Sequence, residues 1–124
     1  MKVIIDTNVL MVPHQFGVDI FEELASLGYD ECLVPRVVVA ELLSLADSAK
    51  GNDRIAARVG LSLAERCRVV GGVNSGGGSA DDEILRLAVH EGFSVCTNDA
   101  MLRKRLSGSG VTVVYLRSRR RLSV

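Results

Sequence analysis

The segment Val3-Ile4-Ile5-Asp6-Thr7-Asn8 decides how the chain begins to fold. Three branched apolar residues in a row predict a short buried strand, and the three polar residues after them predict a turn at its carboxyl end. The first acidic residue of the chain, Asp6, therefore directly follows a strand. What surrounds that strand depends on the order of the elements in the rest of the chain.

Strands and helices alternate along the remainder of the sequence. Short apolar runs predict the strands, and apolar residues at helical spacing, bounded by Gly, Pro or Ser, predict the helices between them. The predicted strands are 3–5, 31–34, 68–70, 93–97 and 111–116, and the predicted helices are 19–27, 36–49, 53–66, 80–91 and 99–106. This order predicts an α/β fold with a mainly parallel sheet of about five strands, covered by helices through right-handed crossovers.

Length and charge limit the classes of protein to consider. The 124 residues correspond to one domain, and 15 Lys and Arg balance 15 Asp and Glu, so the formal net charge is zero. A simple polybasic nucleic-acid binder is therefore excluded, but an enzyme with segregated acids and bases is not. We expect residues 1–116 to form the domain and residues 117–124 to form a basic C-terminal tail.

The start of the chain and the cysteines predict a cytoplasmic protein that does not enter a membrane. Met1-Lys2 leads directly into the first strand without a long apolar leader. No apolar run approaches the roughly 18 residues that a membrane span requires. Cys32, Cys67 and Cys96 are widely separated and lack C-x-x-C spacing. We expect them to be buried, reduced thiols and not a disulfide framework or a zinc site.

Acidic residues occur near the predicted carboxyl ends of the strands, where parallel α/β sheets place their sites. Asp6 follows the first strand and Asp99 follows the fourth. Glu41 lies on the helix after the second strand, with no cation three or four residues away on that helix. Asp81 opens the helix after the third strand. Each residue alone could be an ordinary turn, cap or surface acid, but their shared placement indicates one site.

The neighbouring acids Asp81 and Asp82 are expected to differ. Residues 79–82 fit a capping box, in which Ser79 is the N-cap and Asp82 is the third helical residue. This explains Asp82 structurally. Asp81 instead heads an apolar stripe that runs along the helix to Ala88. We therefore expect Asp81, and not Asp82, to be the principal site residue.

Carboxylates that converge at one edge repel each other unless cations neutralise them. Mg²⁺ and Mn²⁺ are the usual partners of a site with oxygen ligands and without His or Cys. Such ions position a water molecule, lower its pKa and stabilise charge on a phosphodiester during its cleavage. The acids therefore predict metal-dependent chemistry on a phosphodiester.

Motifs around these acids resemble those of the PIN-domain ribonucleases. They occur in order over nearly the whole chain, as Ile4-Ile5-Asp6-Thr7-Asn8-Val9-Leu10, Val39-Ala40-Glu41-Leu42, Ala80-Asp81-Asp82-Glu83-Ile84 and Val95-Cys96-Thr97-Asn98-Asp99. The resemblance implies a PIN-like three-layer sandwich and Mg²⁺- or Mn²⁺-dependent endonucleolytic cleavage of RNA. It implies catalytic and metal-binding roles for Asp6, Glu41, Asp81 and Asp99, and supporting roles for Thr7, Asn8, Asp82, Thr97 and Asn98.

Two subgroups of the family are compatible with these motifs. Residues 11–24 and the paired Asp81-Asp82 resemble the archaeal group related to small-subunit ribosomal RNA processing nucleases, which implies a ribosome precursor as partner. The alternative is the toxin half of a toxin–antitoxin pair, with an antitoxin as partner. Those toxins usually have a single Asp followed by small apolar residues, so Asp82-Glu83 argues against this alternative. Dimers are common in the family, so the resemblance also leaves a homodimer open.

A basic cluster near the C-terminus is the candidate RNA-binding surface, because phosphate neutralisation supplies most non-specific affinity for nucleic acids. Its residues are Arg103, Lys104, Arg105, Arg117, Arg119, Arg120 and Arg121. The alternative is a solvated charged tail. Outside the enzymes, a receiver-like module would need paired acids after the first strand, and only Asp6 follows it here. A non-catalytic PIN-like scaffold for RNA or protein typically loses acids that this chain retains.

Overall fold

A computed structural model describes residues 1–72, 79–117 and 120–124. The strands are β1 (Lys2–Ile5), β2 (Glu31–Pro35), β3 (Arg68–Val70), β4 (Ser94–Cys96), β5 (Val113–Arg117) and β6 (Arg121–Ser123). The helices are α1 (Thr7–Phe16), α2 (Ile20–Ser26), α3 (Arg36–Ser48), α4 (Gly51–Ala64), α5 (Ala80–Glu91) and α6 (Ala100–Gly108). The predicted α/β alternation is confirmed.

The strands form one sheet in the order β3-β2-β1-β4-β5-β6. The first five strands in this order are parallel, and β6 is antiparallel to β5. The chain builds outward from β1 to β3 on one side and then returns to build β4 and β5 on the other. Right-handed crossovers in opposite directions place helices on both faces of the sheet. The carboxyl ends of β1 and β4 therefore meet at the point where the strand order reverses, which is where such sheets bind their ligands.

Helix α1 begins within the turn predicted at residues 6–8 and continues through residues 9–16, to which the sequence analysis assigned no element. Asp6 is its N-cap, and the Asp6 carboxylate accepts a 2.8 Å hydrogen bond from the Thr7 backbone N–H. The helix contains Pro13 and ends at Gly17, whose φ of 68° favours glycine. The nearly unbroken apolar run at residues 9–12 shows no helical periodicity, and a proline normally ends a helix, so the pattern concealed this element.

Part of the segment expected as a basic C-terminal tail contributes a strand to the sheet, since Arg121–Ser123 form β6. Leu122 is 5% exposed and belongs to the hydrophobic core, and its backbone N–H donates a 3.1 Å hydrogen bond to Glu23 on α2. The sheet consequently has six strands where about five were expected. The strand residues Arg121–Ser123 contain a single apolar side chain, which is too little to predict a strand from sequence. Arg119 lies outside the described residues.

No helix in the described part of the chain is both long enough and apolar enough to cross a lipid bilayer.

Candidate active site

Asp6 lies at the carboxyl end of β1, next to β4. Its backbone N–H donates a 3.0 Å hydrogen bond to the Cys96 carbonyl oxygen, which joins the ends of the two strands. The side chain is buried, and both of its oxygens accept hydrogen bonds. Oδ1 accepts from the Thr7 N–H at 2.8 Å, and Oδ2 accepts from the Thr97 hydroxyl at 2.7 Å. The carboxylate is therefore held in one orientation at the strand-order reversal.

Thr97 connects Asp6 to Asp99. Its side chain is fully buried, its hydroxyl donates to Asp6, and its oxygen accepts a 3.1 Å hydrogen bond from the Asp99 backbone N–H. Asp99 is the N-cap of α6, as its sequence position indicated, and its Oδ1 accepts hydrogen bonds from the N–H groups of Met101 and Leu102. Both of these hydrogen bonds involve the same carboxylate oxygen of Asp99.

Glu41 projects from α3 towards the start of α1. Its carboxylate accepts a 3.0 Å hydrogen bond from the buried hydroxyl of Thr7. The partner of the Glu41 carboxylate is thus the Thr7 hydroxyl, 34 residues away in the sequence, and not a cation. The sequence alone could not identify this partner. Because Thr7 also donates its backbone N–H to Asp6, this residue connects two of the candidate acids.

Asp81 and Asp82 have different surroundings on α5. The predicted capping box is present: Ser79 Oγ accepts from the Asp82 N–H at 3.2 Å, and the Asp82 carboxylate accepts from the Ser79 N–H at 3.3 Å. Asp82 is exposed and also accepts a 2.7 Å hydrogen bond from Arg105 on α6, which the sequence did not reveal. Asp81 is partly buried, at the head of the stripe that contains the buried Ala88.

The pKa shifts of Asp6 and Asp81 show which of the candidate acids lie close to each other. Burial raises the pKa of Asp6, and the negative charges of Asp81 and Glu41 raise it further. Burial also raises the pKa of Asp81, and the charge of Asp99 contributes to the increase. Asp6 therefore lies close enough to Asp81 and Glu41, and Asp81 close enough to Asp99, for the neighbouring negative charges to disfavour ionisation of Asp6 and Asp81.

Hydrogen bonds and one cation oppose this repulsion. The bonds from Thr97 and Thr7 lower the pKa of Asp6, although burial outweighs them. The positive charge of Arg105 lowers the pKa of Asp81 in part and, through its hydrogen bond, holds the pKa of Asp82 below its usual value. Asp82 thus remains an ordinary ionised surface carboxylate, whereas Asp6 and Asp81 resist ionisation without a cation.

Asn8 and Asn98 hold the backbone around the acids. The Asn8 side-chain oxygen accepts a 3.3 Å hydrogen bond from the Asn98 N–H, and the Asn98 side-chain oxygen accepts a 2.8 Å hydrogen bond from the Leu116 N–H. These bonds connect the start of α1 with the segment after β4 and with β5. Both asparagines therefore have a clear structural role beside the acids.

The donor chemistry of the site fits a hard divalent cation. Its polar groups are carboxylate and hydroxyl oxygens, and the mutual repulsion of the acids is the interaction that a cation would relieve. As the side chains stand, the described residues do not include three or more His, Cys, Asp or Glu side chains arranged to hold a metal ion.

Basic side chains surround the same edge of the sheet. Arg117 ends β5, which runs parallel to β1 and β4, so it lies at the edge that carries Asp6. The Arg103 guanidinium stacks 3.9 Å from the centre of the Tyr115 ring. The other candidate RNA-binding residues within the described ranges, Lys104, Arg105, Arg120 and Arg121, are all exposed.

Comparison with known proteins identifies the family. A family model described as a PIN-like domain matches residues 3–119. The chain belongs to the PIN-like domain family. A curated relative, Ribonuclease VapC9 from Archaeoglobus fulgidus, is 31% identical over 121 residues, which cover 98% of this chain and 87% of the relative.

Solved structures agree with this assignment. The PIN domain endonuclease Utp24 is 29% identical, with a TM-score of 0.75 over 98% of this chain and 90% of that one. VapBC2 from Rickettsia felis, solved with a DNA fragment from its promoter, is 16% identical, with a TM-score of 0.68 over 94% of this chain and all of that one. At that identity it supports the PIN-like fold alone. The fold and family expected from the sequence motifs are confirmed.

Proposed function

We propose that this PIN-like chain is a metal-dependent endoribonuclease. The observation that carries the proposal is the group of electrostatically coupled acids at the carboxyl edge of the sheet, centred on the buried Asp6. Membership of a family that includes a named ribonuclease and a named endonuclease supports the same activity. RNA is therefore the proposed substrate, and hydrolysis of its phosphodiester bonds is the proposed reaction.

Asp6, Glu41, Asp81 and Asp99 are the residues that would hold Mg²⁺ or Mn²⁺. When bound, such an ion supplies an activated water and stabilises charge on the phosphodiester. Thr97 fixes Asp6 and the backbone of Asp99 relative to each other, and Thr7 fixes Glu41 relative to Asp6. These hydroxyl groups orient the acids, as groups behind metal ligands commonly do. Asp82 supports the site indirectly, by capping the helix that carries Asp81.

The basic residues at the same edge would bind the RNA backbone. Arg117 and Arg120 are exposed beside the strand ends, and Arg103 is stacked on Tyr115. Cations close to an acidic centre direct a polyanion towards that centre and neutralise its phosphates. We also assign Arg105 to this group. Without RNA, its guanidinium donates a hydrogen bond to the Asp82 carboxylate.

The cellular role that we propose is processing of ribosomal RNA in the cytoplasm, with a ribosome precursor as partner. The resemblance of residues 11–24 and of the paired acids Asp81 and Asp82 to the archaeal ribosomal RNA processing group supports this assignment. A second candidate, compatible with the match to Ribonuclease VapC9, is a toxin ribonuclease held by an antitoxin. Both roles use the same acids, and a homodimer is compatible with either.

A cleavage assay with matched variants tests the enzyme proposal. The purified chain is incubated with labelled single-stranded and hairpin RNA in Mg²⁺, in Mn²⁺ and in EDTA. We expect cleavage with either metal, no cleavage in EDTA, and none by Asp6→Asn. Asp47→Asn, an exposed acid near the end of α3, is the control and should retain activity. Cleavage that survives EDTA or Asp6→Asn contradicts the proposal.

Further measurements on the same protein distinguish the remaining alternatives. A chain that neither cleaves RNA nor changes its melting temperature with metal would be a non-catalytic scaffold. An antitoxin-like reading frame directly upstream, whose product forms a stable complex with the chain and suppresses cleavage, would establish the toxin role. Cleavage confined to ribosomal RNA precursors would establish the processing role.

A further inference from the structure

Cys32 and Cys67 lie side by side at the end of the sheet opposite the acids. Cys32 is in β2, Cys67 directly precedes β3, and these parallel strands pair Leu33 with Arg68. One residue earlier on each strand, the same register places Cys32 beside Cys67. Adjacent strands are about 4.8 Å apart, within the roughly 4.4–6.8 Å between Cα atoms that a disulfide requires. The described structure keeps these cysteines as free thiols, as expected, but this pair is adjacent and half-buried where separated, buried thiols were expected.

The two thiols are accessible and electronically different. Both are half-buried, whereas Cys96 is buried in the core. A hydrogen bond from Cys67 lowers the pKa of Cys32, with help from the charge of Arg66, and the same pairing raises the pKa of Cys67. Arg66 is held close by stacking over the Phe21 ring, 4.1 Å from its centre. The Cys67 Sγ donates a 3.9 Å hydrogen bond to the Leu63 carbonyl oxygen, which favours its protonated form, so we assign Cys32 as the attacking thiolate and Cys67 as the resolving thiol.

We propose that Cys32 and Cys67 form a reversible oxidation site that a peroxide converts into a disulfide. The Cys32 thiolate attacks one peroxide oxygen, the O–O bond breaks, and a sulfenic acid forms while the other oxygen leaves as water after protonation. The Cys67 sulfur then attacks the sulfenic sulfur, forming the S–S bond and releasing a second water. Two thiols are oxidised, one peroxide is reduced, and a small dithiol reductant reverses the change.

This site is independent of the nuclease proposal, because the cysteines lie at the amino ends of β2 and β3 and the acids lie at the carboxyl edge. The disulfide would attach the edge strand β3 covalently to β2. It would lie upstream of α3, which carries Glu41, and of Gly71, whose carbonyl oxygen accepts a 2.9 Å hydrogen bond from Arg36 Nε. The direct consequence of the disulfide is that β3 resists separation from the sheet.

Mass spectrometry of the full chain tests the proposal. Reduced protein, freed of reductant, is treated with a small excess of hydrogen peroxide. We expect the intact mass to fall by about 2 Da, two thiols to be lost, and a non-reducing digest to contain the Cys32–Cys67 linked peptide, all reversed by dithiothreitol. Retention of all three thiols, or linkage only between separate chains, would overturn the proposal.

Several single substitutions test the roles assigned to Cys32 and Cys67, so that the test does not depend on any one variant. Cys67→Ser should accumulate a dimedone-reactive sulfenic acid on Cys32 in place of the intramolecular disulfide, and Cys67→Ala should do the same if serine disturbs the fold. Cys32→Ser should lose both products, and Cys96→Ser should behave as the parent chain. Equal thiol loss in the parent chain and in Cys67→Ser, without dimedone labelling, would show unspecific oxidation and refute the site.

Discussion

The hydroxyl of Thr97 donates a 2.7 Å hydrogen bond to the carboxylate of Asp6, and this pair is buried where the strand order of the sheet reverses. Burying a carboxylate is unfavourable unless partners compensate for the lost water. Here the compensation is incomplete, because the pKa of Asp6 remains raised in spite of two hydrogen bonds. The carboxylate of Asp6 is thus held in one orientation, but its negative charge is not fully compensated by the surrounding groups. A cation bound at this carboxylate would supply the missing compensation.

Thr97→Val should impair the site while the fold is preserved. Valine has nearly the same shape, but it removes the donor to Asp6 and the acceptor for the Asp99 N–H. We expect a loss of about 10–100-fold in metal affinity or in single-turnover cleavage, the usual effect of removing a group that orients a metal ligand. Thr97→Ser should restore most of it. Thr112→Val, at an exposed threonine, is the control, and equal activity of the two valine variants would contradict the role assigned to Thr97.

Asp81→Asn and Asp82→Asn should have opposite effects. Asp81→Asn should abolish metal-dependent cleavage and leave the melting temperature unchanged or higher, because it removes repulsion with Asp6 and Asp99. Asp82→Asn should keep cleavage but lower the melting temperature by a few degrees, since it weakens a capping box and an exposed ion pair. Thermal denaturation and cleavage measured on both variants test this directly, and loss of cleavage in both would show that Asp82 is also a ligand.

In the metal-free protein, the contribution of Asp6 to stability should fall as the pH rises above the ordinary pKa of an aspartate. The pKa of Asp6 is raised from 3.8, so between that value and the folded-state pKa the native chain holds a proton that the unfolded chain has released. Native-state proton binding in this window makes stability fall as pH increases. In EDTA at neutral pH, Asp6→Asn should therefore melt a few degrees above the parent chain, and the difference should vanish at low pH. A lower melting temperature for Asp6→Asn at neutral pH would contradict the raised pKa.

Arg117→Gln should weaken RNA binding evenly across sequences. Arg117 is exposed at the edge of the sheet that carries the acids, so its contact would be with phosphate and not with bases. In an Asp6→Asn background that prevents cleavage, the slope of log affinity against log salt should become smaller by about 0.7, the value for one phosphate of a single strand. Arg58→Gln, at an exposed position on α4, should leave the slope unchanged. Equal slopes for both variants would remove Arg117 from the RNA surface.

The sequence predicted the first five strands well because short apolar runs are a local pattern. The candidate acids were chosen from their positions after strands or on the following helices, and their role as a site stays a prediction. Helix α1 was missed, since Pro13 conceals it, and so was β6, which has one apolar residue. The hydroxyl bridges from Thr7 and Thr97 join residues 34 and 91 positions apart, and no local pattern carries that information.

Divalent metal should stabilise the folded protein, and the effect should require the acids. Mg²⁺ or Mn²⁺ would bind the assembled edge of the sheet but not the unfolded chain, in which Asp6, Glu41, Asp81 and Asp99 are far apart. Binding only to the native state adds about 2.7 kcal/mol at a metal concentration 100 times the dissociation constant, equivalent to a rise of several degrees in melting temperature. The rise should saturate with metal concentration and disappear in Asp6→Asn, while Asp47→Asn should retain it. An equal rise in both variants would show that the ions act elsewhere on the surface, because an effect of the site must depend on the carboxylate that Thr97 holds.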